Sequence, residues 1–388
     1  MRLYLVLGWL IFSATALAQP LTGLNFNYWY DPQSEISAFG RVVNEEGRIS
    51  LYFEFENKST TSSISQYQLL GEQRESYTQR QGIPLTIDTL QFIQTGEKRS
   101  LHFSFDIPTK PWLAVFKIKH KVTQKSWTYF YPIEAIYPVD GWLEESEGRP
   151  VTQRFLSLGN SYRLKNKSNK KVTVSYYQNE FKPAYPPFAE NGKSDQFLFY
   201  DSVFTLEIED IFKPVREGLY LFQTDTSSAK GFSYVAKDKA YPRYNRLQQL
   251  KDPMVFVTTQ DEFNQLQSAA EDKVRFDKVI LDFTRDKERA KIFMRNYFRR
   301  VELANSYFSS YKEGWKTDRG MIYMIFGLPD EVSRNGGNEV WYYRALSTRF
   351  TFVKNGSVYD PYNYVLLRDN RFAESWYSTI DLWRKSRF

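Results

Sequence analysis

The sequence predicts a multidomain protein: two antiparallel β-sandwich domains of the immunoglobulin-like kind, followed by an α+β domain. Short segments in which apolar and polar residues alternate recur over roughly the first 240 residues, which is typical of half-buried strands. Aromatic residues make up 18% of the chain and favour pleated sheets. A helical period replaces the alternation further on. The 388 residues suit two to three domains of ~100–200 residues each.

The first 18 residues have the parts of a secretory signal peptide. Arg2 supplies the positive charge, residues 3–12 the apolar core, and residues 16–18 a small-x-small cleavage site. The apolar core is shorter than the ~20 residues of a membrane-spanning helix, although an uncleaved anchor is the alternative. We expect an exported protein without an integral membrane span, which is periplasmic, associated with the outer membrane, or secreted.

The composition excludes several kinds of chemistry. The chain has no cysteine, so disulfides, thiol nucleophiles and cysteine-type zinc sites are ruled out. The net charge of +7 is scattered, and we interpret its densest cluster as a solvated turn rather than a nucleic-acid site. That cluster consists of Lys165, Lys167, Lys170 and Lys171.

The first β-sandwich domain is predicted over residues 19–138. Its strands follow from alternation with a period of two, and polar or proline-containing turns separate them. We place a boundary at the Pro-Val-Asp-Gly sequence of residues 138–141. The predicted strands are residues 24–29, 49–55, 85–92, 101–107, 113–122 and 127–131.

A second β-sandwich-like domain is predicted over residues 139–250. Residues 181–188 within it are rich in proline and aromatic side chains. They form either a rigid loop between strands or a polyproline-type arm that packs on the surface or presents its rings to a partner. The predicted strands are residues 155–158, 161–164, 172–177, 204–208, 218–222 and 231–235.

The α+β domain, residues 251–388, begins with a short strand at 255–257 and continues with helices. Thr259 and Glu262 form a capping box that predicts a helix start. Residues 274–283 are a further helix or a connection. Apolar residues spaced by three and four predict a long helix from Asp286 to about Ser310, with Gly314 as its stop.

A β-meander is predicted after the long helix. Residues 321–326 are apolar and bounded by glycines, which predicts a buried strand. Asn355-Gly356 indicates a type I′ hairpin turn leading into a strand at 357–359. A terminal helix containing Trp376 and Trp383 is expected to close the sheet. Further strands are predicted at 340–343, 349–353 and 364–367, with a turn at 335–338.

The sequence offers no catalytic template, so we expect no catalytic, cofactor-binding or metal-binding residues. His102 and His120 lie in alternating strands without triad partners or metal-ligand spacing, which favours structural roles. Asp318 and Asp330 are the best carboxylate pair. A six-residue strand between them would hold them ~20 Å apart, too far for a shared glycosidase-like site.

One motif joins the long helix to the predicted meander. Gly314 would end the helix, Trp315 would fill the junction, and the turn after it would bond backbone amides. Alternatively, Asp318 and Arg319 face a ligand or partner in a small polar pocket. The candidate residues, structural or binding, are Gly314, Trp315, Thr317, Asp318, Arg319, Gly320, Gly327, Pro329, Asp330, Trp341 and Tyr343.

These residues resemble the bacterial GWxTD-domain family over roughly residues 255–388. The resemblance includes residues 297–305 of the long helix, residues 314–320, residues 327–331 and residues 339–343. It implies an exported envelope protein and supplies no catalytic residues. A weaker similarity links the later Gly-x-Pro turn, the Trp-x-Tyr strand and the Asn-Gly hairpin to the small αβ domain of outer-membrane assembly lipoproteins. Here the lipidation cysteine is missing and a strand is expected in place of their helix.

We therefore hypothesise a non-enzymatic, exported cell-envelope protein that binds other envelope proteins as an assembly or accessory factor. The alternative is a glycan-binding module or carbohydrate-active enzyme, which predicts a groove of exposed rings with two carboxylates ~5–10 Å apart. A protease inhibitor or chaperone-like accessory of secretion is a third hypothesis. We expect no cofactor and no nucleic-acid partner, while peripheral contact with a membrane or glycan stays open.

Overall fold

The computed structural model describes residues 19–45, 47–87, 92–134, 141–145, 148–166, 171–178, 181–189 and 198–387. The predicted signal peptide, most of the predicted boundary at 138–141, and Lys167 and Lys170 of the basic cluster lie outside the described residues.

Two four-stranded antiparallel sheets form the first unit and face each other. Their orders are β1-β2-β6-β5 and β4-β3-β7-β8. Alternate apolar residues of both sheets share one core, in which Phe53 stacks on Phe116 with 4.5 Å between ring centroids. The strands are β1 (Ile36–Glu45), β2 (Arg48–Asn57), β3 (Tyr67–Arg74), β4 (Ile83–Leu85), β5 (Ile93–Thr95), β6 (Lys98–Asp106), β7 (Trp112–His120) and β8 (Ser126–Ile133).

A five-stranded sheet and a three-stranded sheet form the second unit. Their orders are β10-β16-β15-β12-β13 and β14-β11-β9, and only the β10–β16 pair is parallel among the strands described. Leu143 and Leu164 of the smaller sheet share a core with Val174 and Phe222 of the larger one. The strands are β9 (Gly141–Glu144), β10 (Phe155–Ser157), β11 (Tyr162–Asn166), β12 (Val172–Tyr177), β13 (Ser202–Leu206), β14 (Ile211–Phe212), β15 (Gly218–Gln223) and β16 (Phe232–Lys237).

Helices and a four-stranded meander form the C-terminal unit. The capping box of Thr259 and the N-cap of Asp286 begin helices as predicted. The helices are α1 (Leu247–Leu250), α2 (Gln260–Ser268), α3 (Lys273–Thr284), α4 (Lys287–Phe308), α5 (Asp318–Phe326) and α6 (Ala373–Arg384). The strands, in sheet order, are β17 (Glu331–Asn335), β18 (Asn338–Tyr343), β19 (Thr348–Lys354) and β20 (Tyr364–Leu366).

Short 3-10 helices connect these elements. They are Leu21–Gly23, Asn27–Trp29, Ile64–Gln66, Asp252–Phe256, Gly314–Lys316, Arg344–Leu346 and Asn370–Phe372.

Three of the predicted strands are helical, wholly or in part, instead of extended. Residues 321–326 belong to α5, which Thr317 caps and which is buried from Asp318 to Ile325. Because every face of this helix is covered, its sequence shows no polar stripe and resembles a buried strand. Residues 27–29 and 255–256 lie in 3-10 helices, and the rest of the segments 24–29 and 255–257 is not strand either.

Two predictions at loop positions are also wrong. Gly314 does not end the long helix, which stops at Phe308, and instead begins a 3-10 turn. Asn355-Gly356 does not form a two-residue hairpin, because β19 ends at Lys354 and pairs there with Tyr364 of β20. The intervening residues, 355–363, therefore form a loop, and the strand predicted at 357–359 is absent from it.

The N-terminal segment, residues 21–30, packs on the C-terminal unit. The Phe26 amide donates to the carbonyl of Val332 in β17 (2.8 Å), and the Tyr323 hydroxyl donates to the carbonyl of Tyr30 (2.9 Å). Leu21, Phe26 and Tyr30 are buried in the same core as α4, α5 and β18. The start of the described chain is thus part of the C-terminal core.

The structure has no helix in its described residues that is long and apolar enough to cross a membrane.

Candidate functional site

The motif turn between α4 and α5 is built on two close approaches of backbone. A Cβ atom on Gly314 would lie 2.0 Å from the carbonyl oxygen of Ala304 in α4. A Cβ on Gly320 would lie 1.8 Å from the carbonyl oxygen of Gly314. Thr317 closes the turn, since its hydroxyl accepts from the Gly320 amide (3.0 Å) and donates to the Gly314 carbonyl (2.7 Å). Only glycine fits either position without moving backbone.

Trp315 fills the space between α4 and the turn. Its side chain is 1% exposed, and its amide donates to the Asn305 side chain of α4 (3.2 Å). The indole Nε1 donates to the Tyr244 hydroxyl (2.9 Å), which in turn donates to Glu313 (2.6 Å). The ring is therefore held at both ends and is not available to a ligand.

Glu313, directly before the motif, is buried between two lysines. Its carboxylate lies 3.0 Å from Lys237 of β16 and 2.7 Å from Lys316. Burial alone would raise the pKa of Glu313, but the two ammonium groups outweigh it and hold that pKa well below its usual range. This ion cluster joins the second unit to the motif turn.

Asp318 connects α5 to the end of the meander. Its Oδ1 lies 2.5 Å from Arg368, and its Oδ2 accepts from the Leu366 amide of β20 (2.8 Å). Arg368 also donates to the carbonyl of Tyr185 in the proline-rich segment (3.0 Å). That segment packs along the C-terminal unit, where the Ala184 amide donates to the Lys316 carbonyl (2.9 Å). Asp318 thus organises local structure rather than facing open space.

Arg319 belongs to a second buried cluster, centred on Glu339. The Glu339 carboxylate is fully buried and accepts from the Tyr30 hydroxyl (2.6 Å) and from the Trp341 indole (2.7 Å). It pairs with Arg319 (3.3 Å) and with Arg334. Burial would raise the pKa of Glu339, yet the two guanidinium groups lower it. Burial raises the pKa of Tyr30 to about 12, so its hydroxyl stays protonated.

Aromatic rings hold both guanidinium groups of this cluster. Arg319 lies over Tyr364 at 4.5 Å from the ring centroid, and Arg334 lies over Trp29 at 4.2 Å. Trp29 and Tyr30 come from the N-terminal segment, so residues about 300 positions apart build one polar cluster. Such stacking fixes the planes of the guanidinium groups.

The remaining motif residues support the meander. The Tyr343 hydroxyl donates to the carbonyl of Gly327 (2.8 Å), which has φ +85° and lies against Arg300. Pro329 is buried in the turn that follows. Asp330 accepts from the Arg344 amide (2.7 Å). Motif residues thus cluster around α5, but Asp318 and Asp330 take separate structural partners.

The two histidines are apart from this site. His120 is buried, and its Nδ1 accepts from the amides of Val122 (3.2 Å) and Thr123 (3.1 Å). His102 stacks on Tyr52 at 4.5 Å. The described residues contain no group of three or more His, Asp or Glu side chains that could hold a metal ion.

A cleft of about 960 Å³ opens where the three units meet. Residues 37–42 of β1 line one wall, and Phe232 and Tyr234 of β16 line another. Arg319 and Arg334 of the Glu339 cluster reach it from the C-terminal unit. Its lining is rich in tyrosine, including Tyr28, Tyr131, Tyr234, Tyr307, Tyr359 and Tyr362. This volume is within the range of ligand-binding sites.

Sequence reasoning missed the partners of the motif. Glu339 is picked out by the family resemblance alone, although it lies two residues before Trp341 and therefore on the same buried face of β18. A carboxylate in phase with a buried tryptophan is the signal that could have found it. Tyr30, Arg334 and Arg368 carry no such local signal, because their roles depend on long-range packing.

The C-terminal unit is an α+β domain in which two consecutive helices, α4 and α5, pack on an antiparallel meander. The GWxTD domain family matches residues 218–385, as the motif residues predicted. These residues of the chain therefore form a GWxTD domain. The match begins within β15, ahead of the predicted boundary at residue 251.

Comparisons with other proteins add little to the family match. No curated protein matches the chain. A chimeric titin Z1Z2–Z1Z2 tandem functionalised with a GRGDS peptide from fibronectin is 13% identical and covers 51% of this chain and 96% of its own, with a TM-score of 0.16. Salmonella α2-macroglobulin reacted with methylamine is 10% identical and covers 54% of this chain and 17% of its own, with a TM-score of 0.17. At these TM-scores neither likeness bears on fold or function.

Proposed function

We propose that this protein is a non-enzymatic, exported cell-envelope factor that binds a polypeptide segment of a partner protein in the cleft between its three units. The observation that carries the proposal is the cleft itself. It is open, rich in tyrosine, and bounded by residues that the family motif holds in place. Tyrosine is enriched at protein interfaces because its ring is apolar and its hydroxyl is polar.

The wall formed by β1 suits a polypeptide. β1 is ten residues long and lies at the edge of its sheet, where it pairs only with β2 among the described strands. Phe39 of this strand lines the cleft and is 44% exposed. An extended segment can add to such an edge through backbone hydrogen bonds while its side chains enter neighbouring pockets.

The motif residues contribute to this function by holding the residues beneath the cleft in place. Arg319 is held by Glu339 and by the ring of Tyr364, and all of these lie beside or beneath the cleft. Most of the other motif residues bond backbone groups of the same unit. A rigid floor limits the entropy lost when a partner binds. We also propose that the first two units are immunoglobulin-like sandwiches, with the predicted domain limits.

Glycan binding is the second candidate, because tyrosine rings and carboxylates both line the cleft. Its support is weaker than for a polypeptide. Seven of the eight tryptophans in the described residues are buried, and the eighth, Trp29, lies against Arg334. Tryptophan therefore supplies no stacking platform for sugars in this part of the chain.

Site-specific photocrosslinking tests the proposal. A photoreactive amino acid at Phe39, in the protein expressed in its native envelope, should give discrete adducts that protease digestion removes. The control is the same amino acid at Ile83, which is 66% exposed and does not line the cleft. Identical adducts at both positions would contradict a polypeptide site. Adducts that resist protease but yield to glycan hydrolases would favour the second candidate.

Export has a separate test. If the signal peptide is removed after Ala18, the mature protein begins at Gln19, and sequencing of its N-terminus checks this. The Gln19 carbonyl accepts from Arg74 (3.0 Å) and residues 21–30 are packed, so a mature chain starting there keeps these contacts. A mature protein that still begins at Met1 would contradict export by cleavage.

A further inference from the structure

Three guanidinium groups meet at one end of the cleft. Arg154 from the second unit lies within electrostatic range of Arg319 and Arg334, and all three line the cavity. The carboxylates close to them are Glu339 and Asp360. Among the described residues, three cations face two anions here, which leaves one positive charge in excess.

The arginines keep hydrogen-bonding capacity unused. Arg319 is nine-tenths buried, yet its hydrogen bonds within the described structure all involve Nη1, to Glu339 and Tyr30. Arg334 bonds through Nη2, and its Nε is buried without a hydrogen-bond partner in the described structure. Arg154 makes no hydrogen bond or ion pair with the described residues. A buried donor without an acceptor is costly, so the Arg334 guanidinium lacks one acceptor within the described structure.

We infer that this end of the cleft, formed by Arg154, Arg319 and Arg334, binds a carboxylate of the partner polypeptide, either an acidic side chain or a chain terminus. The inference rests on the proposed polypeptide-binding function and specifies the chemistry that the cleft recognises. A guanidinium group presents donors in a planar fork that matches the two oxygens of a carboxylate.

Charge favours a carboxylate over a phosphate. A single negative charge balances the excess of one, whereas a phosphate ester carries roughly 1.5 to 2 negative charges near neutral pH and would leave a surplus. Asp360 would repel that surplus. It is itself held in place, because it accepts from the Tyr362 amide (2.8 Å) and from the Ser310 hydroxyl.

Elsewhere the described lining of the cleft carries four cations and five carboxylates, so the cleft as a whole is close to neutral and the positive excess is local to the arginine end. Asp31 and Lys354 also line the C-terminal side and offset each other. The opposite wall carries both signs and includes the Glu54–Lys98 pair (3.7 Å). The positive end is thus confined to the three arginines.

The direct test uses acetate as the probe and the full-length mature protein. Arginine Nε–H resonances are followed by NMR with ¹⁵N-labelled arginine, while acetate replaces chloride at constant ionic strength. The Nε–H resonances of Arg319 and Arg334 should shift and saturate with a Kd on the order of 1–10 mM. Arg319→Lys and Arg334→Lys serve only to assign the resonances.

Arg154→Gln is the decisive variant, because Arg154 is exposed and makes no bond with the described residues that folding requires. It should weaken acetate binding about three- to tenfold. The control Arg295→Gln removes an exposed positive charge of α4 outside the cleft and should leave the Kd unchanged. Shifts that grow linearly with acetate, or that both variants leave unaltered, would overturn the inference.

Further measurements distinguish a failure of this inference from a failure of the proposed function. Inorganic phosphate should bind more weakly than acetate, and tighter binding would overturn the assignment to a carboxylate. Saturable acetate binding without any Phe39 adduct would retain the anion site and reject the polypeptide partner. Phe39 adducts that persist unchanged in Arg154→Gln, together with linear acetate shifts, would retain the partner and reject the carboxylate.

Discussion

Replacing Gly320 by alanine should destabilise the joint between α4 and α5 more than any other single methyl group added at the motif. The new Cβ would lie 1.8 Å from the Gly314 carbonyl oxygen, whereas real Cβ contacts are almost never closer than 3.0 Å. The turn must therefore open by about 1.2 Å, the difference between these distances. The atom that has to move is backbone and cannot rotate away.

The magnitude follows from the bonds that the Gly314 carbonyl holds. It accepts from the Thr317 amide (3.1 Å) and from the Thr317 hydroxyl (2.7 Å), and the same hydroxyl caps α5. Loss of an N-cap costs about 1 kcal/mol, each lost hydrogen bond about 0.5–1.5, and forced overpacking about 1–3. Together these contributions give a loss of about 3–7 kcal/mol in the local free energy of unfolding.

Hydrogen–deuterium exchange is the suitable assay, because it reports the opening of one segment in a chain of several units. Amides of α5 should exchange at least about 100-fold faster in Gly320→Ala than in the unmodified protein. Gly337→Ala is the matched control, since among the described residues its Cβ would meet only Lys354, at 3.6 Å. Exchange of α5 in Gly320→Ala that equals the Gly337→Ala control would refute the argument from packing.

Further predictions concern the buried polar groups around the motif. Asp318→Asn should lower the free energy of unfolding by about 3–5 kcal/mol and expose the β20 amides to exchange. Asp330→Asn, at an exposed turn, should change the free energy of unfolding by less than about 1 kcal/mol. Denaturant titration compares the stabilities of the two variants. The pKa of Glu313 lies below the unfolded value of 4.5, so its ionised form adds stability that is present above pH 4.5 and lost as the pH falls. Glu313→Gln should therefore lower Tm at pH 7 and make Tm fall less steeply below pH 4.5. A fall of Tm as steep as in the unmodified protein would contradict this. Tyr30→Phe removes one hydrogen-bond donor from the buried Glu339 carboxylate and should lower the free energy of unfolding by about 1–3 kcal/mol. The Phe26 amide should then exchange faster. Unchanged exchange would show that the packing of the N-terminal segment does not depend on this bond.

The sequence predicts elements well where one face is buried and the other is exposed. β2 and β6 alternate in burial, and α4 buries Phe293, Tyr297 and Val301 at helical spacing. Local caps are equally predictable, because the Thr259 and Asp286 side chains each accept from the amide three residues later in the chain. In these cases the physical cause lies within a short stretch of chain.

Elements that are buried on all sides were not predictable in the same way. α5 lacks a polar stripe, and only its cap at Thr317 distinguishes it from a strand. The sequence analysis expected a strand here, where the αβ domain of outer-membrane assembly lipoproteins has a helix. Because the structure has a helix, this difference disappears, and the missing lipidation cysteine is the difference that remains. The partners of the motif were beyond local reasoning, since Tyr30 and Glu339 are separated by 309 residues.

The N-terminal segment changes the interpretation of the family motif. Arg319 of the motif and Arg334 of β17 share Glu339, but that cluster is complete only when Tyr30 donates to the carboxylate and Trp29 lies under Arg334. Arg154 and Tyr234 of the second unit complete the cleft above it. A motif that serves only its own domain would need none of these distant residues. The GWxTD residues are therefore the C-terminal domain's part of an interface between all three units. The cleft at that interface is where function should be sought.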